Sequence, residues 1–254
     1  ENAVNKGGIW QTRPGFDSII TLSTEEGDND FYNWWVAAGK PVVRPQFFTV
    51  FQPTNSAPQF VFAVNGAVFY CVINPDDTID VPRRITQLNF ASNADQICGV
   101  STVKTSDIQN GQIFVVPPIN ILMLQDGVSR AGYWDGNNGG HLNPEKKWTV
   151  ETDGSIKYVD GYNQTRMGLF MAWSGNRLWV AYNNQVFASD LGDPLHYTEE
   201  TVLVNIPYFT FPGNVTGMVD RGTSGVQQNL VFVSTNDGVF TLRSGVQPVS
   251  YTHL

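Results

Sequence analysis

The sequence predicts an all-β fold, a β-propeller or partial propeller arc of about four blade-like units, each roughly 54–61 residues long. Three observations predict it. The chain of 254 residues is 13% aromatic but only 15% charged. Glycine (24 residues) and proline (14 residues) punctuate it throughout. Apolar runs of strand length face each other across tight-turn signals at a repeating interval. Such a composition favours strands broken by turns. It excludes a disordered chain, which needs high charge and little apolar content. It also excludes a coiled coil, which needs about half Ala, Glu, Lys, Leu and Arg.

The first hairpin is QFVFAV at 59–64, Asn65-Gly66, then AVFYCVI at 67–73. Asn-Gly between apolar runs signals a type I′ turn, because that turn needs positive φ at both central residues. The pattern returns at 121–124 (ILML), Asp126-Gly127 and 128–134. It returns at 177–182 (RLWVAY), Asn183-Asn184 and 185–189, and again at 230–234 (LVFVS), Asp237-Gly238 and 239–242. The turn centres Gly66, Gly127, Asn184 and Gly238 stand 61, 57 and 54 residues apart. Each interval has room for a second strand pair, as a four-stranded blade requires. Candidates are 97–103, the hairpin 147–151 with 156–159 around Asp153-Gly154, and 201–205 with 208–211. The alternative is an ordinary all-β protein rich in hairpins.

The connections carry turn chemistry at 74–77, 135–140, 190–194 and 211–214. Residues 135–144 read as the longest flexible loop inside the body. Residues 30–38 read as a short helix capped by Asp30, with Phe31, Trp34, Trp35 and Ala38 on one face and Gly39 and Pro41 ending it. A strand fits the same aromatic residues.

Fifteen Lys and Arg against 23 Asp and Glu give a net charge of −8. The basic residues are scattered, so sequence-independent nucleic-acid binding is excluded. No apolar run reaches the ~18 residues of a membrane-spanning helix. Cys71 and Cys98 lie in apolar, strand-like runs and read as buried free thiols, which points to a reducing compartment. His141, His196 and His253 share no ligand spacing and read as solvated loop residues, so no metal site is expected. Nucleotide-binding glycine loops and the nucleophile elbow are absent, so neither a cofactor nor catalytic residues are expected. Asp76, Asp77 and Asp80, like Asp28 and Asp30, lack the calcium-loop pattern and read as solvated turns. Sugar hydrolysis would need two carboxylates flanking a bond. The stretch Ser189-Asp190 with Gly192 and Tyr197 is only loosely similar to the Asp-box turn of sialidase-like propellers. A sialidase-like enzyme and a general protein-interaction propeller are the alternatives to a structural role.

Two segments go beyond generic β sequence. The first is Lys6-Gly-Gly-Ile-Trp-Gln-Thr-Arg13-Pro14-Gly15-Phe16. The second runs from Met171-Ala-Trp173-Ser-Gly-Asn-Arg-Leu-Trp179-Val-Ala-Tyr182 into Val186-Phe-Ala-Ser-Asp190-Leu-Gly192-Asp193-Pro194-Leu-His-Tyr197. Together with Leu124-Gln-Asp-Gly127 and Tyr133-Trp-Asp-Gly136, they resemble virion β-propeller proteins of tailed phages, similar to the tail nozzle and tail tubular proteins of short-tailed phages. The resemblance covers roughly residues 5–245. It implies a structural, non-enzymatic ring subunit of the virion, assembled in the host cytoplasm. Its partners would be other copies in a homo-oligomeric ring and neighbouring adaptor or portal proteins. DNA would pass by without specific binding, and an acidic channel lining would suit that passage.

In that reading Arg13, Pro14 and Gly15 make a turn that presents a cation. Trp173 and Trp179 anchor the inner face of a blade. Asp190 and Asp193 close turns on nearby amides, and Gly192 allows positive φ. The chain, beginning at Glu1, is expected to be a fragment of a longer reading frame forming one domain over residues 1–254. Residues 248–254 also resemble a translated sequencing-adapter string of the kind common in metagenomic assemblies.

Overall fold

In the computed structural model, the described residues are 3–6, 9–12, 29–109, 112–142, 148–150, 156–158, 165, 167–197, 208–220 and 230–243. A first hairpin pairs β1 (Ala3–Lys6) with β2 (Ile9–Thr12). Helix α1 (Asp30–Ala37) follows. The body then consists of four antiparallel meanders, each strand pairing with its successor. The first contains β3 (Pro45–Phe51), β4 (Gln59–Val64), β5 (Ala67–Val72) and β6 (Arg83–Asn89). The second contains β7 (Cys98–Gln109), β8 (Gln112–Gln125), β9 (Gly132–Trp134) and β10 (Gly139–His141). A separate two-stranded sheet, β11 (Trp148–Val150) with β12 (Ile156–Tyr158), precedes the third. The third contains β13 (Phe170–Ser174), β14 (Arg177–Tyr182), β15 (Gln185–Ala188) and β16 (Tyr208–Thr210). The fourth has three described strands, β17 (Val215–Asp220), β18 (Leu230–Thr235) and β19 (Gly238–Arg243).

The repeat has a structural meaning. Each of the four regularly spaced turns joins the second and third strands of its meander. Asn65 (φ 47°) and Gly66 (φ 82°) form the expected type I′ turn. The other three turns differ from the sequence reading. Asp126-Gly127 opens a longer loop, and its strand is Gly132–Trp134 rather than 128–134. The Asp126 carboxylate accepts hydrogen bonds from the amides of Val128 and Ser129, which holds those residues out of the ladder. At Asn183-Asn184 only Asn183 has positive φ (53°). At the last turn the central pair is Asn236-Asp237, because Thr235 pairs with Gly238 and Gly238 opens β19.

Other expectations need correction. Residues 97–103 begin the second meander instead of completing the first. The outer strands of the first are β3 and β6, whose half-polar sequences give a weaker pattern. Residues 135–144 include strand β10, because the Asp135 carboxylate accepts from the amides of Asn137 and Asn138 and closes a tight β9–β10 loop. Among the described residues, strands β11 and β12 pair only with each other. Residues 201–205 lie outside the described residues. Helix α1 is capped by Asn29, whose side chain accepts from the Tyr32 amide, and not by Asp30. Asp30 instead accepts from the backbone amide of Arg84 and ties the helix to β6.

The meanders stack face to face, and their strand alternation explains how. Along β8, Leu122 and Leu124 enter a core with Val61, Ala63 and Val68 of the first sheet. Ile121 and Met123, on the opposite face, enter a core with Met171, Leu178 and Val180 of the third. Trp179 and Ala181 face a further core with Val233, Phe240 and Leu242 of the fourth. Burial on both faces is why these strands read as unbroken apolar runs. Helix α1 covers the remaining face of the first sheet, laying Phe31 and Trp34 on Phe62 and Phe69. Strands β3, β7, β13 and β17, the first of each sheet, lie against one another in succession. Cys71 and Cys98 are free thiols in different cores.

A recurring backbone bond closes each of the first three meanders. The residue leaving the fourth strand donates its amide to the carbonyl of a residue in the second-to-third connection. The pairs are Phe90 to Gly66, Leu142 to Ala131 and Phe211 to Asn184, at 2.8 Å each. Phe90, Leu142 and Phe211 each then enter the core shared with the following sheet.

Candidate functional site

The charged chemistry buried in this fold gathers where the β15–β16 connection crosses β7. Gly192 (φ 74°) brings its carbonyl onto the amides of Thr105 at 2.7 Å and Ser106 at 3.1 Å. Its own amide donates to the Asn176 carbonyl at 2.6 Å. A Cβ there would stand 2.5 Å from the Thr105 hydroxyl, so glycine is required twice, by backbone conformation and by close approach. The Ser106 hydroxyl donates to the Leu191 carbonyl at 2.7 Å.

This contact carries Asp193 into the interior. Its side chain is fully buried. One carboxylate oxygen accepts from the Leu195 amide at 3.0 Å, forming the turn expected of it. The other lies 2.7 Å from His196 Nδ1 and 3.3 Å from Lys104 Nζ. Lys104 also reaches Asp107 at 3.1 Å. Asp107, Asp193 and His196 hold their ligand atoms within 4.8 Å of one another, the one such cluster among the described residues. The Lys104 ammonium contacts both carboxylates, in the position a bound cation would take. The Lys104 ammonium is thus the shared counter-charge of both carboxylates.

Neighbouring bonds reinforce the same crossing. Arg177 donates to the Ser189 carbonyl at 2.5 Å. Burial lowers the pKa of its guanidinium, opposed by the charge of Asp190 beside it. The Ser189 hydroxyl accepts from the Leu178 amide, and Tyr197 donates to the Leu178 carbonyl. The Thr165 hydroxyl donates to the Pro194 carbonyl.

A comparable carboxylate joins the first and second sheets. Asp126 accepts from the amides of Ala91, Val128 and Ser129 and from the Ser129 hydroxyl, at 2.6 to 2.9 Å. Burial raises its pKa, and these four bonds outweigh that and hold it below the usual carboxylate value. Gln46 acts similarly as a neutral linker, accepting from the Gly66 amide and donating to the carbonyls of Ala91 and Ala94.

The sequence-selected residues are thus distributed through the stack. Gly66 packs under the chain at Phe90, where a Cβ would stand 2.2 Å from the carbonyl oxygen. Gly127 (φ 78°) lies against Leu169. Gly238 (φ 152°) has open space at its Cβ position. Trp173 and Trp179 do not share an inner face; they lie on opposite faces of the third sheet, because register pairs Trp173 with Leu178 and Ala172 with Trp179. Arg13, Pro14 and Gly15 lie outside the described residues.

Sequence reasoning missed Lys104 and Asp107, which sit in an unremarkable polar strand. It also took His196 and His141 for solvated loop residues. His196 pairs with Asp193, and His141 bridges Asn89 and the Arg130 carbonyl while its ring packs edge-on against Phe90. No protein-family model matches the chain, and no curated protein matches it.

Proposed function

We propose that this chain is an architectural subunit of a tailed-phage virion, a nozzle- or adaptor-like ring protein that lines the DNA exit channel without catalysis. The observation that carries the reading is the use of the buried polar groups. Asp126, Gln46 and the Lys104–Asp107–Asp193–His196 cluster all join one sheet or loop to another, and their partners are protein groups. A part exposed to pressure and shear gains from such cross-ties, whereas a catalytic centre needs groups that face a substrate. The motif resemblance supplies the virion setting, and the net charge of −8 suits a surface that DNA slides past. The proposed partners are further copies in a ring and the adjoining adaptor or portal subunits.

Negative-stain electron microscopy of the purified chain, alone and with candidate portal proteins, tests this. Ring particles with an open centre are the expected result. A strict monomer that cleaves glycosides would overturn it.

A further inference from the structure

The sequence contains three Asn-Gly pairs, at 65–66, 110–111 and 138–139. Such a pair is chemically labile, because a glycine amide with no side chain beside it can reach the preceding carboxamide carbon. The pair at 110–111 lies outside the described residues. The other two both lie in hairpin turns and differ in what holds them. The Asn65 carboxamide accepts from the Arg44 amide at 2.8 Å and donates to the Val42 carbonyl at 2.9 Å. The Gly66 amide donates to Gln46 Oε1 at 2.6 Å in the interior. Ring closure at Asn65 would forfeit all three bonds. Asn138 is exposed, and among the described residues its carboxamide meets only the Asp135 carboxylate, at 3.4 Å. Bonds at both ends of the β9–β10 ladder fix its phase. The Asp135 amide donates to the Asn138 carbonyl at 3.0 Å, and the Leu142 amide to the Ala131 carbonyl at 2.8 Å. Antiparallel alternation then makes Gly139 and Trp134 a non-hydrogen-bonded pair, so the Gly139 amide points away from β9. Strand β10 is the last of its sheet, so no further strand of that sheet receives this amide.

We infer that Asn138 is a site of spontaneous deamidation, with water as the only co-reactant. The Gly139 nitrogen gives up its proton and bonds to Cγ of Asn138. The Cγ–Nδ2 bond breaks, and Nδ2 takes up a proton and leaves as ammonia, closing a succinimide ring. Water then opens either ring C–N bond. One opening yields aspartate; the other yields isoaspartate, whose main chain runs through the side-chain carbon. Nothing is oxidised or reduced. Either product places a second carboxylate beside Asp135, which closes the loop by accepting from the amides of Asn137 and Asn138. Isoaspartate also adds a main-chain atom immediately before β10. His141 of β10 bridges Asn89 of the first sheet and the Arg130 carbonyl, so the modification acts on the outer join between the first and second sheets. The inference stands apart from the ring-subunit reading.

Peptide mapping by mass spectrometry tests the inference on purified chain held in mildly alkaline buffer. The peptide containing Asn138 should gain the mass of an NH-to-O exchange at least about tenfold faster than the peptide containing Asn65, the rate equivalent of about one hydrogen bond. It should also split into two chromatographic forms, aspartate and isoaspartate. In urea, where the folded difference is gone, the two peptides should convert at similar rates. Asn138→Gln, a change at an exposed position, should abolish the conversion there because its ring closes less readily. Asn138→Asp supplies the charge without the added main-chain atom, and the aged isoaspartate fraction should melt below it. Equal rates in the folded chain, earlier conversion at Asn65, or a tenfold ratio that persists in urea would overturn the inference. An isoaspartate fraction that melts together with Asn138→Asp would overturn the effect assigned to β10.

Discussion

Replacing Asp193 with Asn separates charge from shape at the crossing between the second and third sheets. Asparagine keeps the acceptor for the Leu195 amide at 3.0 Å. It removes the negative charge that stands 3.3 Å from Lys104 and 2.7 Å from His196. Deleting one partner of a buried ion pair costs about 3–5 kcal/mol. Here Lys104 retains Asp107 at 3.1 Å, and the side chain of Lys104 is 14% exposed, so part of the loss is recovered. The expected destabilisation is about 2–4 kcal/mol, an estimate scaled from that range. For a chain of this size it corresponds to a fall in Tm of roughly 5–12 °C. Urea denaturation should show a lower midpoint with an unchanged slope. Lys104→Met should cost a similar amount, and the double variant should be less harmful than the sum, with a coupling of about 1–3 kcal/mol. A loss below about 0.5 kcal/mol, the level of ordinary surface changes, or strict additivity would refute the buried-clasp reasoning.

Asp126 has a lowered pKa, so the stability it contributes is present above the ordinary carboxylate value of about 3.9 and is lost as pH falls through its lower folded value. Acid unfolding followed by fluorescence should therefore be less steep in Asp126→Asn, which starts from a lower plateau. Leu178→Ala, in the core between the second and third sheets, should cost about 2–5 kcal/mol by thermal or urea unfolding. Gly99→Ala should cost about 1–3 kcal/mol because Phe47 blocks the new methyl, and Phe47→Leu in the same chain should restore part of it. Burial pushes the Cys71 thiol pKa up to about 12, with the charge of Asp80 adding to the effect. Cys71 should therefore react with a disulfide reagent only on unfolding, as absorbance would record.

Strands buried on both faces were legible because their signal is local. Runs such as those of β4, β5 and β14 are apolar at every position, and the turns between them need residues that tolerate positive φ, as Asn65 and Gly66 do. The spacing of those turns located the same joint in each meander. The edge strands β6 and β17 were illegible because only some of their residues meet a core, and the polar or small residues between them imitate loops. The charged crossing was half legible. The turn at Gly192 and Asp193 follows from local chemistry, but Lys104 and Asp107 come from a strand 85 or more positions away in sequence. Their pairing depends on how the third sheet sits on the second.

The same distinction separates the two kinds of contact in this molecule. Apolar alternation decides that sheets stack, but flat apolar faces could slide by a residue pair at modest cost. Buried polar groups with few acceptable geometries remove that freedom. Asp126 fits only where the amides of Ala91, Val128 and Ser129 converge, and Asp193 only where Lys104 and His196 meet it. A misplaced sheet would leave these carboxylates buried without partners, which costs more than the apolar contacts it preserves. The first-to-second and second-to-third junctions each carry such a group. Sheet order and register in the stack are thus fixed by a handful of polar side chains working against an otherwise permissive hydrophobic background.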